Sequence, residues 1–365
     1  MIRPRGFSLV ELMVAMTLAL IVSAGVMSVF IGSRSAYQST TGTASTTDGG
    51  RFALNFIQNS VRSAGFMACA NAQNMVATPM LNAGATPLYF SFGLGLGGFE
   101  ASNTGTAGSF TVAEPPVTPD GSNGDWVSGL DLALTGLVVK NNDVLVVRST
   151  QRNAQPEFVS AITDGSAQFT VNAQGSLAAG QLAVIADCLK FVPFQISSVS
   201  GSSPNVTITH AAGGSPGNAS AALPASFSIG AQVTPVDTVV YFIGKGADGD
   251  GALFAYDLNA TNTFTATELV PDIEAMQILY GLDTTQTQTV SAYVTADQVP
   301  ILAPGGFNSV MSVKVAVLAA SAQGALPKPT AAPTYHLLGN IVTAPIDTRS
   351  RQVFEMTIGL RNSLP

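Results

Sequence analysis

Between Phe7 and Gly32 the chain carries a single charged residue, Glu11, and no proline; a short flank holding Arg3 and Arg5 precedes this run. At about 1.5 Å per residue the run makes a helix of roughly 39 Å, enough to cross a hydrocarbon core of about 30 Å. The two arginines place the N-terminus on the cytoplasmic side. The chain therefore divides into a membrane helix and an exported body.

Glu11 sets the run apart from an ordinary anchor. A carboxylate at the centre of a membrane helix costs on the order of 2.5–3.5 kcal/mol, and less near an end. Two competing readings are a secretory signal cut at Val22-Ser23-Ala24 and an uncut signal-anchor. Neither explains why the chain keeps that carboxylate. A partner does. Cleavage after Gly6 would leave a free amine on Phe7, four residues before Glu11 and on the same helix face. A carboxylate there also suits the positive end of the helix dipole. In a bundle of such helices, the amine of a neighbouring subunit would serve equally.

The composition suits an exported body. Only 10% of residues are charged and the formal net charge is −7, more negative still without Arg3 and Arg5. That balance disfavours a broad electrostatic footprint on nucleic acid or anionic lipid. The length allows one large domain or two small ones. Cys69 and Cys188 are the two cysteines. An even count in an exported chain reads as one disulfide, the alternative being two buried free thiols. Closing a loop of about 120 residues stabilises by roughly 4–5 kcal/mol in the chain-entropy model. The spacing shows no zinc pattern, and His210 and His336 are the only imidazoles.

Ser33 to Gly50 is polar, and Gly42, Gly49 and Gly50 weaken a helix there. From Arg51 the apolar period of a helix returns, with Phe52, Phe56 and Ile57 as its core-facing stripe and Gly65 as its stop. Strands follow: Val144–Val147 after the turn signal Asn141-Asn142-Asp143, then Val239–Ile243 and Val313–Leu318. Phe354, Met356, Ile358 and Leu360 alternate with Glu355, Thr357, Gly359 and Arg361, the pattern of a half-buried antiparallel strand. Segments 99–124, 198–226 and 321–334 read as loops. The expected class is α+β, a long N-terminal helix laid on an elaborated antiparallel sheet.

Gly6-Phe7-Ser8-Leu9-Val10-Glu11 resembles the type III leader of type IV pilins and type II secretion pseudopilins. The resemblance implies that a prepilin peptidase cuts between Gly6 and Phe7 and N-methylates Phe7. It also implies that Glu11 directs subunit docking in the filament. A second, ordered set of matches resembles the PilW family of minor type IV pilins. It runs from Arg51-Phe52-Ala53-Leu54 and Arg62–Phe66 with Cys69, through Ala186-Asp187-Cys188 and Val240–Gly244, to Ile273–Gln277, Tyr280-Gly281 and Phe354 to Asn362. That family implies a leader over 1–6, a transmembrane and filament-core helix over 7–32 and the helix's second half over 33–68. It implies a periplasmic β-rich domain over 69–365.

The implied function is a non-enzymatic minor pilin, without cofactor, that helps initiate pilus assembly and sits in the tip complex. Its implied partners are the prepilin peptidase, other minor pilins, the major pilin, a tip adhesin and the inner membrane. Two alternatives stand beside it. One is a J-type minor pseudopilin of type II secretion. The other is a ligand-binding or adhesive module built on the poorly matched 70–180 segment.

Other constellations point elsewhere only weakly. Gly93-Leu94-Gly95-Leu96-Gly97-Gly98 satisfies G-x-G-x-x-G after an expected strand Leu88–Phe92. A dinucleotide site needs a helix next, and Glu100–Gly105 reads as loop. Asp248-Gly249-Asp250-Gly251 begins a calcium-loop pattern, with Asp257 as a third ligand across a hairpin, but residue 259 is Asn where an EF-hand needs Glu. A hairpin turn is the simpler reading. Arg349 and Arg351 before the last strand read as a solvated edge, and Trp126 and Tyr335 as packing residues. No nucleophile motif accompanies the two histidines.

Overall fold

The computed structural model describes residues 8–71, 80–82, 90–214, 216–258, 264–285, 287, 289–303 and 305–361. One continuous helix, Leu9–Val61, runs 53 residues, roughly 80 Å at 1.5 Å per residue. Its first part touches nothing, and its second part lies on a sheet. The glycines expected to loosen it do not. Gly42 and Gly50 are contact points: a Cβ on Gly42 would stand 2.5 Å from Ala325 Cβ, and one on Gly50 would enter the Phe354 ring. Here the helix needs small residues more than it needs propensity.

The same spacing corrects the core-facing stripe. Ala53, Leu54, Ile57 and Val61 are buried, whereas Phe52 and Phe56 are 58% and 38% exposed. Ile57 falls where expected; the two phenylalanines sit on the far side. The buried helix residues pack with Val313, Val315, Val317, Met276, Ile278 and Ile358 into one core. At the helix's end, Ser60 Oγ and the Tyr241 hydroxyl share a 2.6 Å hydrogen bond. Just beyond it, the Gly65 N–H donates to the Arg148 carbonyl at 2.9 Å.

Among the described residues the helix-bearing sheet has four strands, in the order Ala292–Val294, Ile273–Leu282, Val310–Ala320 and Arg351–Gly359, all antiparallel. Ile273–Leu282 is buried at every position. Its other face is covered by a small sheet of Thr334–Leu337, Asn340–Thr343 and Ser109–Thr111, through Phe110, Val342 and Leu318. Two covered faces explain why Val313–Leu318 is apolar at every position but Lys314 while Arg351–Gly359, a strand at the sheet's edge, alternates.

A larger sheet is organised on the 14-residue strand Gln232–Lys245. Its second half pairs with Gly251–Leu258 on one side and Val144–Thr150 on the other. Its first half pairs with Leu182–Ala186 and Glu157–Ile162. A separate core there gathers Val159, Phe169, Ile185, Phe194, Ile208 and Val233.

Segment 198–226, expected as loop, holds the antiparallel hairpin Ser198–Ser202 and Asn205–Thr209, and 99–124 holds Ser109–Thr111. The glycine-rich run leads into the strand Leu96–Phe99, paired with Val144–Thr150, so no helix stands where a dinucleotide would need one. Residues 90–92 are not a strand, and 88 and 89 lie outside the described residues.

Candidate functional site

Glu11 opens the long helix. Ser8 Oγ accepts the Glu11 N–H at 3.2 Å, while Glu11 Oε2 accepts the Ser8 N–H at 3.0 Å and its hydroxyl at 3.2 Å. This reciprocal capping box satisfies backbone N–H groups that a helix start leaves bare. The spacing Ser8-x-x-Glu11 carries that signal in the sequence. Gly6 and Phe7 lie outside the described residues.

Every residue from Leu9 to Tyr37 is exposed, Leu9 at 76% and Val29 at 72%. The helix is long and apolar enough to cross a membrane. An apolar surface of this extent needs lipid or other helices around it. Further along, Phe52, Phe56 and Phe66 stay on the uncovered side. Phe66 borders a hollow of about 440 Å³ together with Arg62 and Arg361.

The domain that carries the helix is bolted together by buried polar groups. Cys69 and Cys188 form a disulfide spanning 119 residues, which ties the chain just after the helix to the end of the strand Leu182–Ala186, beside a cluster of Met67, Phe92, Val184 and Phe191. Asn142 and Asp143 of the Asn141-Asn142-Asp143 turn are buried and join two sheets. Asp143 Oδ2 accepts the Ile278 N–H at 2.7 Å, and Asn142 Oδ1 accepts the Met276 N–H at 2.8 Å. Burial raises the Asp143 carboxyl well above its ordinary value, and the nearby Glu100 adds to this.

Arg349 and Arg351 are not a solvated edge. Each is 8% exposed, and together they hold four carboxylates. Arg351 is bidentate to Glu274 (2.6 and 2.9 Å) and to Asp347 (2.7 and 2.6 Å). Burial alone would raise Asp347, but the Arg351 guanidinium holds it below the ordinary carboxylate value. Arg349 donates to Asp250 at 2.5 Å and to Asp272 at 3.2 Å.

Asp248 and Asp250 sit in the expected hairpin turn, and their third neighbour is Asp272, not Asp257. Asp257 is at the far end of the hairpin, opposite Val239. The Arg349 guanidinium already supplies the positive charge that a calcium ion would bring.

His210 is fully buried between Phe169 and Phe194, at ring distances of 5.5 and 5.7 Å, and burial lowers its pKa. It is a neutral core residue. His336 is exposed, Tyr335 is half-buried, and Trp126 is buried with Nε1 donating to the Asn142 carbonyl at 3.1 Å.

An exposed apolar half-helix, continued by a half docked on an antiparallel sheet domain, defines a pilin-like subunit. Comparison with known proteins narrows the class. Residues 240–362 match the family described as Type IV Pilus-assembly protein W (PilW), and residues 1–27 match the prokaryotic N-terminal methylation motif. The two matches are consistent with a PilW-family type IV pilin with a prepilin leader. No curated protein and no solved structure matches the chain. The matched C-terminal stretch contains Glu274, Asp347 and Arg351 of the ion-pair network.

Proposed function

We propose that this minor pilin takes part in initiating pilus assembly and then sits in the pilus tip complex. The observation that carries the reading is the pairing of a prepilin motif with a helix whose first half is wholly uncovered and whose second half is fixed to its domain. In this reading the leader is 1–6, the membrane and filament-core segment 7–32, the helix's second half 33–68 and the periplasmic domain 69–365. The prepilin peptidase cuts between Gly6 and Phe7 and methylates the new amine. The helix then leaves the inner membrane for a bundle of pilin helices. In that bundle Glu11 exchanges its capping contact with Ser8 for the amine of Phe7, its own or a neighbour's. The exchange offsets the desolvation of a carboxylate in an apolar environment.

The partners in this scheme are the peptidase, other minor pilins, the major pilin and a tip adhesin. The domain edges and the exposed Phe52–Phe66 side meet sibling subunits. Replacing Glu11 by Val tests the scheme. Leader cleavage is expected to persist while incorporation into sheared pili falls at least tenfold; normal incorporation would remove the role given to the carboxylate. Siblings co-purified after cross-linking separate a pilus subunit from a secretion pseudopilin.

A further inference from the structure

The last strand, Arg351–Gly359, forms one edge of the helix-bearing sheet and pairs with Val310–Ala320 without a bulge. Just past its end the Leu360 N–H donates to the Met311 carbonyl at 2.9 Å, and just before its start the Ser350 carbonyl accepts the Ser321 N–H at 2.8 Å. Inward and outward bonding alternate along an antiparallel strand. The even-numbered residues therefore bond inward, and Val353, Glu355, Thr357 and Gly359 turn their N–H and C=O groups away from the sheet. Among the described residues nothing bonds to those outward groups.

Native edges are commonly blunted by shortness, Pro, Lys or a bulge. Ala292–Val294, at the sheet's other edge, has three residues; in the larger sheet, Phe191–Gln195 carries Pro193 and Phe264–Val270 pairs across a bulge. Arg351–Gly359 has none of these devices, and a Cβ on Gly359 would meet open space. A bare, regular row of donors and acceptors is matched by another extended backbone.

Charge selects which backbone. The helix follows the same edge, since Gly50 meets the Phe354 ring and Arg62 shares a hollow with Arg361. Arg51 and Arg62, about three helical turns apart, stand on one stripe. Both are exposed, as is Arg361, and none of the three makes an ion pair among the described residues. Asp48 is the one carboxylate on the docked half of the helix, and Glu355 alternates with Phe354 onto the sheet's other face. Two copies of this chain paired edge to edge would set arginine against arginine, which makes a second copy the poorer occupant.

We propose that the outer edge of Arg351–Gly359 pairs with an extended acidic segment of a neighbouring pilus subunit, whose carboxylates meet Arg51, Arg62 and Arg361. The proposal rests on the reading of this chain as a pilus subunit and adds how and with what chemistry it holds its neighbour.

The probe is a fluorescent peptide of about eight residues that alternates Glu with Thr and Val. It is titrated by anisotropy into the full-length protein in detergent. One control carries Lys for Glu; two others are N-methylated at alternate backbone nitrogens, one in each register. The Glu peptide is expected to bind, and the Lys peptide and at least one N-methylated peptide to bind at least about tenfold more weakly. Thr357→Pro, at an exposed position, removes an outward N–H and no ladder bond, and should weaken binding by a similar factor. Arg51→Glu with Arg62→Glu, both exposed, should shift the preference to the Lys peptide. No binding of the Glu peptide, indifference to N-methylation in both registers or to Thr357→Pro, an unchanged charge preference, or dimerisation of the protein through this edge overturns the proposal. These readouts use purified protein, so their failure is distinct from a failure of the assembly reading, which the incorporation of Glu11→Val into pili decides.

Discussion

Arg351 ties the last strand to the buried Glu274 and the half-buried Asp347, and removing it has a calculable cost. Its side chain is 1% exposed and that of Glu274 5%, so Arg351→Met strands Glu274 in a dry site without its hydrogen-bonded counter-charge, leaving only the more distant Arg349 guanidinium. Breaking a buried pair in this way costs about 3–5 kcal/mol. Asp347, with 13% of its side chain exposed, turns to water at less cost. Replacing both members of the deeper pair, as Arg351→Met with Glu274→Leu, removes two desolvation penalties along with the attraction, and the net change is expected within about 1–2 kcal/mol of wild type.

The assay is urea unfolding of the full-length protein in detergent, followed by the fluorescence of Trp126, the only tryptophan and a buried one. The single variant should lower the midpoint with an unchanged slope, and the double variant should recover most of the loss. A single variant that loses under about 1 kcal/mol, or a double that loses the sum of both singles, would refute the assignment of a buried, coupled pair.

Adjacent glycines on the helix should respond with opposite signs. Gly49→Ala adds a methyl in ordinary contact with Val270, 3.8 Å away, and gains helix propensity of about 0.5–1 kcal/mol. Gly50→Ala drives its methyl into the Phe354 ring and should cost about 1–3 kcal/mol before that gain; equal effects in thermal melts would mean the helix is not held against that ring. Stability should also fall as pH rises towards 8. Burial raises Glu100 and Asp237 to about 7 in the folded protein. Unfolded, they release their protons near 4, so between these values the folded state binds more protons and loses stability with rising pH, on the order of 3 kcal/mol per group. His210, whose folded pKa is lowered, acts in the opposite sense. Asp143, Asp257, Asp272 and Glu274, which burial also raises, act in the same sense as Glu100 and Asp237. A Glu100→Gln, Asp237→Asn double variant should therefore flatten the fall between about pH 5 and 7, and an unchanged slope contradicts the burial of these carboxyls.

What was legible in the sequence was local. The largely apolar run Val313–Leu318 and the alternation of Phe354 to Leu360 are set by whether one or both faces of a strand are covered, and both patterns survive into the structure. The helix face was misjudged because hydrophobicity ranks Phe52 and Phe56 above Gly50 and Ala53. Close approach of a helix to a sheet instead selects the small residues and leaves bulky ones outside. The hairpin at 198–209 offers only Val199, Val206 and Ile208 as apolar alternation in a Ser- and Thr-rich stretch, too little to separate it from loop.

Contacts between distant residues left no sequence mark. Glu274 and Arg351 stand 77 positions apart. Asn141-Asn142-Asp143 reads correctly as a turn, but nothing in it tells that Asn142 and Asp143 are buried against Ile273–Leu282. The Ser8–Glu11 capping box, by contrast, was there to be read.

Whether the apolar helix is a processed filament element or a permanent anchor is read most directly from the mature N-terminus. Intact-mass and N-terminal peptide mass spectrometry of the membrane-extracted protein should find a chain beginning at N-methylated Phe7, with Met1–Gly6 gone. A chain that begins at Met1, or at Gly25 after ordinary signal cleavage, contradicts the proposed life of Glu11 as an assembly residue.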